Sequence, residues 1–457
     1  MGKPVKVYFY IFGFSFKFQL KIYNQYKDLI LTMLSWLFVG LFLGKLVLLY
    51  VPVSLITFRN RGKYMEMLIG FVFMLFLSDS RTDWIHYFAA DAKEVYILML
   101  ALFFFMDRDK FIPANNLYTR FIPFFIVAII CIFNTPPENS STAIQKTVSY
   151  ILLLVTIPGY VQRAYIEQGK NFFKALIYLG IAILFMGFVF KFINPEYVTR
   201  EDRFQGLFGN PNGLGIFSLL FFFLFTVILE LEPKLFSRRE KIVVYGLVAL
   251  SIYMSGSRGS LFGFLIYFLF SGFYRISPFL GSIAAIAFMS SYSYLSDHLV
   301  GIINALGLGD YMRVNTLQEG SGRFIAWEFS WKHIQESYWF GRGFEYTEYL
   351  FNIPANVYYL QTLGHQGNAH NSYITLWLDT GLVGVIAYVL AFMSCFFKAA
   401  KRTRLALPLL YASVFSSFFE SWLTASLNPF TIMLFITLAI ITSDVIFPSK
   451  AAAALPV

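Results

Sequence analysis

The chain has 457 residues, of which 58% are hydrophobic and 14% are charged. A soluble domain carries about 25% charged residues, so this composition excludes an ordinary water-soluble protein and predicts one that folds in a lipid bilayer. The net charge of +10 does not indicate a nucleic-acid partner, because the basic residues lie in short clusters between apolar runs, which is how membrane orientation is encoded.

The apolar runs predict an all-α polytopic membrane protein that forms a single transmembrane domain over residues 1–457. Several runs are shorter than the roughly 20 residues of a full crossing, so we expect their helices to extend into the flanks. A run at 29–58 is too long for one ordinary span and short for two, although Gly40 and Gly44 would permit a helical hairpin. The chain as a whole is predicted to have about 12–14 transmembrane helices, fourteen if this run is a hairpin. Twelve further runs lie at 64–78, 94–106, 120–134, 147–162, 175–193, 213–231, 241–255, 259–273, 276–293, 372–397, 405–421 and 430–447.

Lysine and arginine are distributed unequally between alternate loops. One set of loops, which includes 1–28, 232–241 and 398–404, carries 24 of these residues, and the other set carries 10. The second set includes the longest loop, 294–371, so its low count of lysine and arginine is the stronger evidence for orientation. By the positive-inside rule the first set is cytoplasmic. Both termini would then be cytoplasmic if the run at 29–58 is a hairpin.

The loop at 294–371 contains one predicted helix, from Ser321 to Tyr338. Apolar side chains recur there at three- and four-residue steps, at Phe324, Trp327, Trp331 and Ile334. A stripe of this kind is typical of a helix that lies on a membrane surface.

Four polar clusters fall on the face that the charge count predicts to be non-cytoplasmic. All four combine charged or amide side chains with glycine or serine. They are Arg200–Arg203 running into Gly206–Gly213, Ser255–Gly259, Gly320–Arg323 with Trp327, and Asn368–Tyr373 followed by Asp379–Gly384.

The side chains of these clusters suit transfer from a phosphate leaving group. The planar guanidinium of arginine matches two phosphate oxygens and never deprotonates. Glycine lets a ligand approach the backbone closely, and histidine can take a proton near neutral pH. We therefore expect Arg203, Arg258 and Arg323 to hold an anion and His370 to activate an acceptor.

Each residue also has a structural interpretation that involves no ligand. Asn210-Pro211-Asn212-Gly213 is first of all a turn and a helix start. The other structural interpretations are a surface ion pair of Arg203 with Asp202, snorkelling of Arg258 to the headgroups, a pair of Arg323 with Glu319, a hydrogen-bonded structural role for His370, and an interfacial anchor at Trp327.

No metal site or cofactor is expected. The paired aspartates of Asp107-Arg108-Asp109 could hold a divalent ion, but the charge count places them in the cytoplasm, and we expect a solvated loop. His298, His333 and His365 lack metal-ligand spacing. Cys131 and Cys395 lie in apolar runs, where neither a disulfide nor zinc is expected.

In this order, the clusters resemble the O-antigen ligase and O-antigen polymerase family of bacterial membrane glycosyltransferases. The resemblance covers residues 200 to 385. It is carried by Arg203 to Asn212, Ser257-Arg258-Gly259, Gly322-Arg323 with Trp327, Gly341-Arg342-Gly343, Ala369-His370-Asn371-Ser372-Tyr373 and Gly381-Leu382-Val383-Gly384.

The resemblance implies a GT-C-like fold in the bacterial inner membrane, with a long periplasmic loop and a periplasmic active face. It implies a donor glycan on undecaprenyl diphosphate and transfer without a metal. His370 would be the base, and Arg258 and Arg323 would complete the catalytic set. The residues expected to bind substrate are Arg203, Asn210, Asn212, Trp327, Asn371 and Tyr373.

The acceptor is left open by the resemblance. A polymerase joins one lipid-linked repeat to another, a ligase passes the polymer to lipid A–core, and a relative glycosylates protein. We favour a polymerase of O-antigen or exopolysaccharide, with a chain-length regulator as a further partner, because nothing points to lipid A or protein. A membrane transporter is the alternative of another class. Against it, acidic residues such as Glu230 and Glu420 lie at the edges of spans rather than within them.

Overall fold

The computed structural model describes residues 6–11, 14–80, 83–111, 116–290, 305 and 322–448. About 80% of the structure is helical, which confirms the predicted all-α polytopic membrane fold. The first part of the predicted loop at 294–371, with Gly320 and Ser321, lies outside the described residues. Five described segments are long and apolar enough to cross a bilayer: Tyr26–Asn60, Pro137–Gln168, Lys170–Ile193, Pro211–Leu231 and Ser372–Ala400. The total of 12–14 crossings stays a prediction.

The helices follow the predicted apolar runs and extend most of them into their flanks. In the first half they are α1 (Leu20–Leu43), α2 (Val47–Asn60), α3 (Tyr64–Asp79), α4 (Asp83–Met106), α5 (Ile122–Ile132), α6 (Ser140–Gln168), α7 (Lys170–Ile193) and α8 (Pro211–Leu231). In the second half they are α9 (Arg238–Ser255), α10 (Arg258–Ile276), α11 (Pro278–Ser290), α12 (Arg323–Glu336), α13 (Tyr346–Asn352), α14 (Pro354–Thr362), α15 (Ser372–Ala400), α16 (Ala406–Ser417) and α17 (Pro429–Thr442).

The long run at 29–58 forms a helical hairpin. Gly44 has φ +54° and follows the last residue of α1. Beyond the turn, Nζ of Lys63 lies 2.5 Å from Oδ2 of Asp28, and a single straight helix would separate these residues by about 50 Å. The chain therefore turns back at the glycine.

The sequence predicts a solvated loop at Asp107, but this residue does not lie in one. Its side chain is largely buried and accepts hydrogen bonds from Arg59 Nε at 2.8 Å, Arg59 Nη2 at 3.0 Å and the Tyr64 hydroxyl at 2.9 Å. The bond from Arg59 lowers the pKa of Asp107 to about 2. The prediction was wrong because Asp107 directly follows α4, whose packing against α2 and α3 carries it towards Arg59.

Among the described residues, two small β-hairpins accompany the helices. β1 (Lys6–Ile11) pairs antiparallel with β2 (Phe14–Gln19), and β3 (Thr199–Arg200) pairs with β4 (Arg203–Phe204). In the second hairpin the two turn residues have φ values of +51° and +59°, as in the two-residue type I′ turn that matches the strand twist.

The segment that follows α12 packs against a kink in α15. Gly381 has φ +71° and ψ 177° inside the helix, and Leu382 N donates to the carbonyl of Tyr338 at 2.9 Å. A Cβ at Gly381 would lie 2.3 Å from the carbonyl oxygen of Trp339, and one at Gly341 would lie 2.3 Å from the backbone of Asp379. Both glycines are therefore needed for the close approach.

The helix predicted at 321–338 is present as α12, but a different stripe is buried. Its buried residues are Ala326, Phe329, Ser330 and Ile334, and they pack with side chains of α13, α14 and α15 in a small core of their own. Of the predicted stripe, Phe324 and Trp331 are exposed. The spacing identified a helix, and the contact of the predicted stripe with a membrane surface stays a prediction.

Candidate active site

Arg203 is held at the site by the turn of the β3–β4 hairpin and by two hydrogen bonds. Its Nε donates to the carbonyl of Ser255 at 2.7 Å, and its Nη2 donates to Oδ1 of Asn212 at 2.7 Å. Ser255 ends α9, and Asn212 lies in the first turn of α8. The arginine thus joins the β3–β4 hairpin to the start of α8 and to the end of α9.

Arg258 is the first residue of α10, directly after the break at Gly256-Ser257. The first N–H groups of a helix lack intrahelical partners and carry a partial positive charge. Arg258, Gly259 and Ser260 all line the cavity described below. This helix start therefore adds to the positive potential of the arginines, in the way that favours phosphate.

Glu420 joins three of the predicted site residues. Its Oε1 accepts a hydrogen bond from Asn212 Nδ2 at 2.6 Å and one from Arg323 Nη2 at 3.0 Å. Its Oε2 lies 3.2 Å from Nδ1 of His370. The predicted span at 405–421 ends as a helix at Ser417, so Glu420 lies in the connection to α17.

Glu420 is ionised at neutral pH. Burial raises the pKa of its carboxyl group, but the hydrogen bond from His370 and the charges of His370 and Arg323 outweigh burial and leave that pKa below its ordinary value. A carboxylate only accepts hydrogen bonds, so the proton shared with His370 belongs to Nδ1. The lone pair of the neutral ring is then on Nε2.

His370 lies in a tight turn that is held from several sides. It has φ +45°, which is rare for a residue other than glycine and is often found at functional sites. Its N–H donates to Oδ1 of Asn368 at 2.9 Å, and the preceding carbonyl, of Ala369, accepts from Trp327 Nε1 at 2.9 Å. On the other side, the Ser372 hydroxyl donates to the carbonyl of Glu420 at 2.7 Å.

These side chains surround one polar cavity of about 170 Å³. Six charged or polar side chains described above line its wall: Arg203, Asn212, Arg258, Arg323, His370 and Glu420. Three fixed positive charges face one carboxylate and two imidazoles, those of His365 and His370. The cavity therefore has an excess of positive charge that suits an anion. It also has a base beside that anion site.

Four predicted substrate-binding residues stand behind the cavity wall. The side chain of Asn210 caps α8, and that of Asn371 caps α15. The hydroxyl of Tyr373 donates to the carbonyl of Val414, while Trp327 supports the turn before His370. Each of these side chains positions residues of the cavity wall and does not itself line the cavity.

Two titratable residues of the cavity, Glu420 and His365, are not among the sequence-predicted site residues. In the sequence Glu420 is only an acidic residue at a span edge, although its place at the non-cytoplasmic end of the 405–421 run is a usable signal. His365 lacks metal-ligand spacing, and no other pattern marks it. It lies beside His370, with ring centroids 6.2 Å apart, and burial, followed by the charge of His370, lowers the pKa of its imidazole. Within the described parts of the chain, no three His, Cys, Asp or Glu side chains form a metal-binding group.

Residues 243–389 match the sequence profile of the Wzy_C family, described as O-antigen ligase. These residues, about a third of the chain, are similar to O-antigen ligases. This confirms the resemblance to the O-antigen ligase and polymerase family. No curated protein matches the chain at a significant level.

The matched residues include Arg258, Arg323 and His370, whereas Arg203 and Glu420 lie outside them. The fold therefore completes the cavity with residues from before and after the matched segment. The family match and the apolar helices support a membrane enzyme of the glycosyltransferase type that acts in polysaccharide biosynthesis.

Proposed function

We propose that this protein transfers a glycan from undecaprenyl diphosphate to an acceptor hydroxyl at the periplasmic face of the bacterial inner membrane. The observation that carries the proposal is the single cavity shared by Arg203, Arg258, Arg323 and a His370 that is bound to Glu420. This arrangement offers positive charge for the leaving group and a base for the acceptor.

The arginines and the start of α10 suit the diphosphate of the donor. Arg258 also lines a second, mostly apolar groove of about 140 Å³ between α9 and α10, whose lining includes Ile252, Leu261 and Phe264. An anion site that continues into an apolar groove at the lipid-facing side of two helices suits a phosphate group that is carried on a lipid.

His370 suits the acceptor. In the proposed step, Nε2 takes the proton of the acceptor hydroxyl as its oxygen bonds to the anomeric carbon of the donor sugar. The bond between that carbon and the diphosphate oxygen breaks, and undecaprenyl diphosphate leaves with the electron pair. The guanidinium groups stabilise the charge on the leaving oxygen, and Glu420 stabilises the imidazolium.

We propose that this step requires no metal ion, because three arginines supply positive charge where a divalent cation would otherwise be needed. Transfer by the purified protein should therefore continue in EDTA. Loss of activity in EDTA, with recovery on addition of Mg²⁺ or Mn²⁺, would contradict this part of the proposal.

The periplasmic location rests on the basic residues of the loops. Loops predicted to be cytoplasmic contact one another at the end of the helices opposite the cavity: Lys170 binds Glu232 at 2.7 Å, and Arg163 donates to the carbonyl of Lys110 at 3.2 Å. Since this end holds the excess of lysine and arginine, the positive-inside rule places the cavity outside.

Among acceptors, we favour a second lipid-linked repeat, which makes the protein an O-antigen or exopolysaccharide polymerase that works with a chain-length regulator. Ligation to lipid A–core and transfer to protein are the alternative outcomes. The test is a glycan analysis of a deletion strain. Accumulation of single lipid-linked repeats supports a polymerase, accumulation of long lipid-linked polymer supports a ligase, and unchanged glycans contradict both.

A further inference from the structure

A cavity of about 650 Å³ lies at the opposite end of the helices from the polar cavity. Its walls come from α8, α9 and α10, and two further lining residues, Arg404 and Leu405, directly precede α16. Asn212 of the polar cavity and Glu230 of this one both belong to α8, and the helix between them is about 27 Å long. The second cavity therefore lies in the other leaflet of the bilayer, where the loop charges predict the cytoplasm.

The interior of this cavity is apolar and aromatic. The ring of Phe222 lies 4.8 Å from that of Phe264 and 5.2 Å from that of Tyr267. Water needs two to four polar partners to occupy such a space, whereas an acyl chain needs none. Along α8 the lining extends from Phe222 to Glu230, about 12 Å, which fits within one leaflet of the roughly 30 Å hydrocarbon core. The exposed ring of Phe268 marks its opening towards lipid.

Two opposite charges line the cavity and remain apart. Of the described residues in its wall, only Glu230 and Arg404 are charged, and both are exposed. They form no ion pair with each other or with another described residue, whereas the nearby Arg402 pairs with Asp444. Glu230 accepts a hydrogen bond from the Thr403 hydroxyl, which holds the carboxylate beside the segment that carries Arg404. An anion and a cation can therefore bind here side by side.

We infer that this cavity binds a phosphatidylethanolamine of the cytoplasmic leaflet. One acyl chain fills the aromatic interior, Arg404 binds the phosphate, and Glu230 accepts hydrogen bonds from the headgroup ammonium. A guanidinium matches phosphate oxygens, and a primary ammonium has three N–H donors for a carboxylate. An anionic phospholipid without an amine offers Glu230 no partner, and a quaternary ammonium has no N–H. The two charges therefore favour the zwitterion with a primary amine.

The chain of the proposed donor is the competing occupant, because the apolar groove that begins at Arg258 shares Ala249 and Phe264 with this cavity. The charges decide between the two lipids. The donor places its diphosphate at the polar cavity, so it has no group for Glu230 and Arg404, whereas a phospholipid of the cytoplasmic leaflet has its headgroup at their level. This binding requires no turnover and does not depend on the proposed function.

The first experiment measures which headgroup the cavity prefers. Native mass spectrometry of the full chain in detergent gives the Kd for phosphatidylethanolamine, phosphatidylcholine and phosphatidylglycerol with identical acyl chains. We expect the Kd for phosphatidylethanolamine to be about tenfold lower than that for phosphatidylglycerol, which corresponds to ~1.4 kcal/mol, with phosphatidylcholine between them. Glu230→Gln should remove the preference, and Arg404→Gln should weaken binding of all three lipids, because all carry the phosphate.

Matched controls for these variants are Glu232→Gln and Arg239→Gln, since neither residue lines the cavity. Both should retain the wild-type preference. Equal affinity of the wild type for the three lipids would overturn the inference and leave Glu230 and Arg404 as solvated surface residues. An unchanged preference in Glu230→Gln would overturn it as well.

The second experiment locates the lipid. Phosphatidylethanolamine with a photoreactive group in the middle of one acyl chain should label the segment from Phe264 to Ser271. Ser271→Phe, which fills the cavity, should reduce the labelling, whereas Gly246→Phe should not, because Gly246 faces open space outside the cavity. Unlabelled phosphatidylethanolamine should suppress the labelling. Suppression by undecaprenyl diphosphate would assign the cavity to the donor chain, and labelling confined to other segments would also contradict the assignment.

Discussion

Oε2 of Glu420 lies 3.2 Å from Nδ1 of His370, and this contact determines which ring nitrogen can act as a base. The carboxylate comes from the connection after α16, and the imidazole comes from the turn before α15. Helix packing therefore sets the distance between them. An imidazole that is bound in this way has a fixed ring orientation and a fixed tautomer.

Glu420→Gln should reduce kcat by up to about 10⁴-fold, because an amide in place of the carboxylate that orients a catalytic imidazole stabilises the wrong tautomer. The KM for the donor should change little, because the amide oxygen of glutamine can still accept from Asn212 and Arg323. Initial rates with purified protein provide the measurement. Glu336→Gln, which removes an exposed carboxylate of α12, should leave both constants unchanged. Wild-type kcat in Glu420→Gln would contradict the role.

The same substitution has a pH-dependent effect on stability. Because the pKa of Glu420 is lowered in the folded protein, its stabilising contribution is complete above the ordinary carboxyl pKa of about 4 and is lost as the pH falls through the lowered value. In detergent, the melting temperature of the wild type should exceed that of Glu420→Gln at neutral pH, and the difference should shrink below about pH 4. A constant difference would argue against a bound carboxylate.

His370→Gln and His370→Ala should remove most turnover, because a positioned base typically contributes about 10²–10⁴-fold in rate. Folding, insertion and donor binding should be nearly intact. The structural alternative, in which His370 only bridges neighbouring groups, predicts that glutamine retains activity. His333→Gln on α12 controls for loss of an imidazole. Near wild-type transfer by purified His370→Gln would exclude the catalytic role.

Arg258→Ala and Arg323→Ala should each lower kcat, since both side chains stabilise the leaving diphosphate in the proposed step. Lysine should restore the rate only in part, because it lacks the bidentate geometry of the guanidinium. Arg342 offers a matched control, since it pairs with Glu336 outside the cavity. If Arg342→Ala were as damaging as the cavity variants, general destabilisation would explain all three.

The orientation can be tested by single cysteines, because Cys131 and Cys395 are buried. Tyr358 is exposed between α13 and α15, and Lys401 is exposed after α15. Tyr358→Cys should react with an impermeant maleimide from the periplasm, and Lys401→Cys should react only after the inner membrane is opened. Periplasmic labelling at position 401 would reverse the orientation and with it the proposed location of the cavity.

The helices and the common location of the polar clusters could be predicted from local patterns. Apolar runs identify helices, and because successive loops alternate between the two faces of the membrane, the loop count predicts which clusters share a face. The pairing of His370 with Glu420 could not be predicted in this way, because it depends on how α15 packs against α16. The same is true of Asp107, whose partner Arg59 belongs to another helix.

Backbone geometry was also beyond the sequence patterns. The turn residues Glu201 and Asp202 adopt positive φ without glycine, so no turn signal marked the hairpin that positions Arg203. His370 adopts positive φ for a similar reason: the contacts around it, rather than its own preference, set its conformation. Such positions are determined by their surroundings, which a single sequence does not show.

Because of the kink at Gly381, the segment after α12 cannot be replaced by that of a relative without also replacing part of helix α15. The carbonyls of Tyr338 and Trp339 accept from Leu382 and Val383, while Arg342 and Gly343 donate to carbonyls just before the kink. A loop transplanted from a relative would leave these groups unsatisfied unless residues 378–383 came with it. Chimaeras that aim to change the acceptor should therefore place their C-terminal junction beyond the kink, inside the straight part of α15.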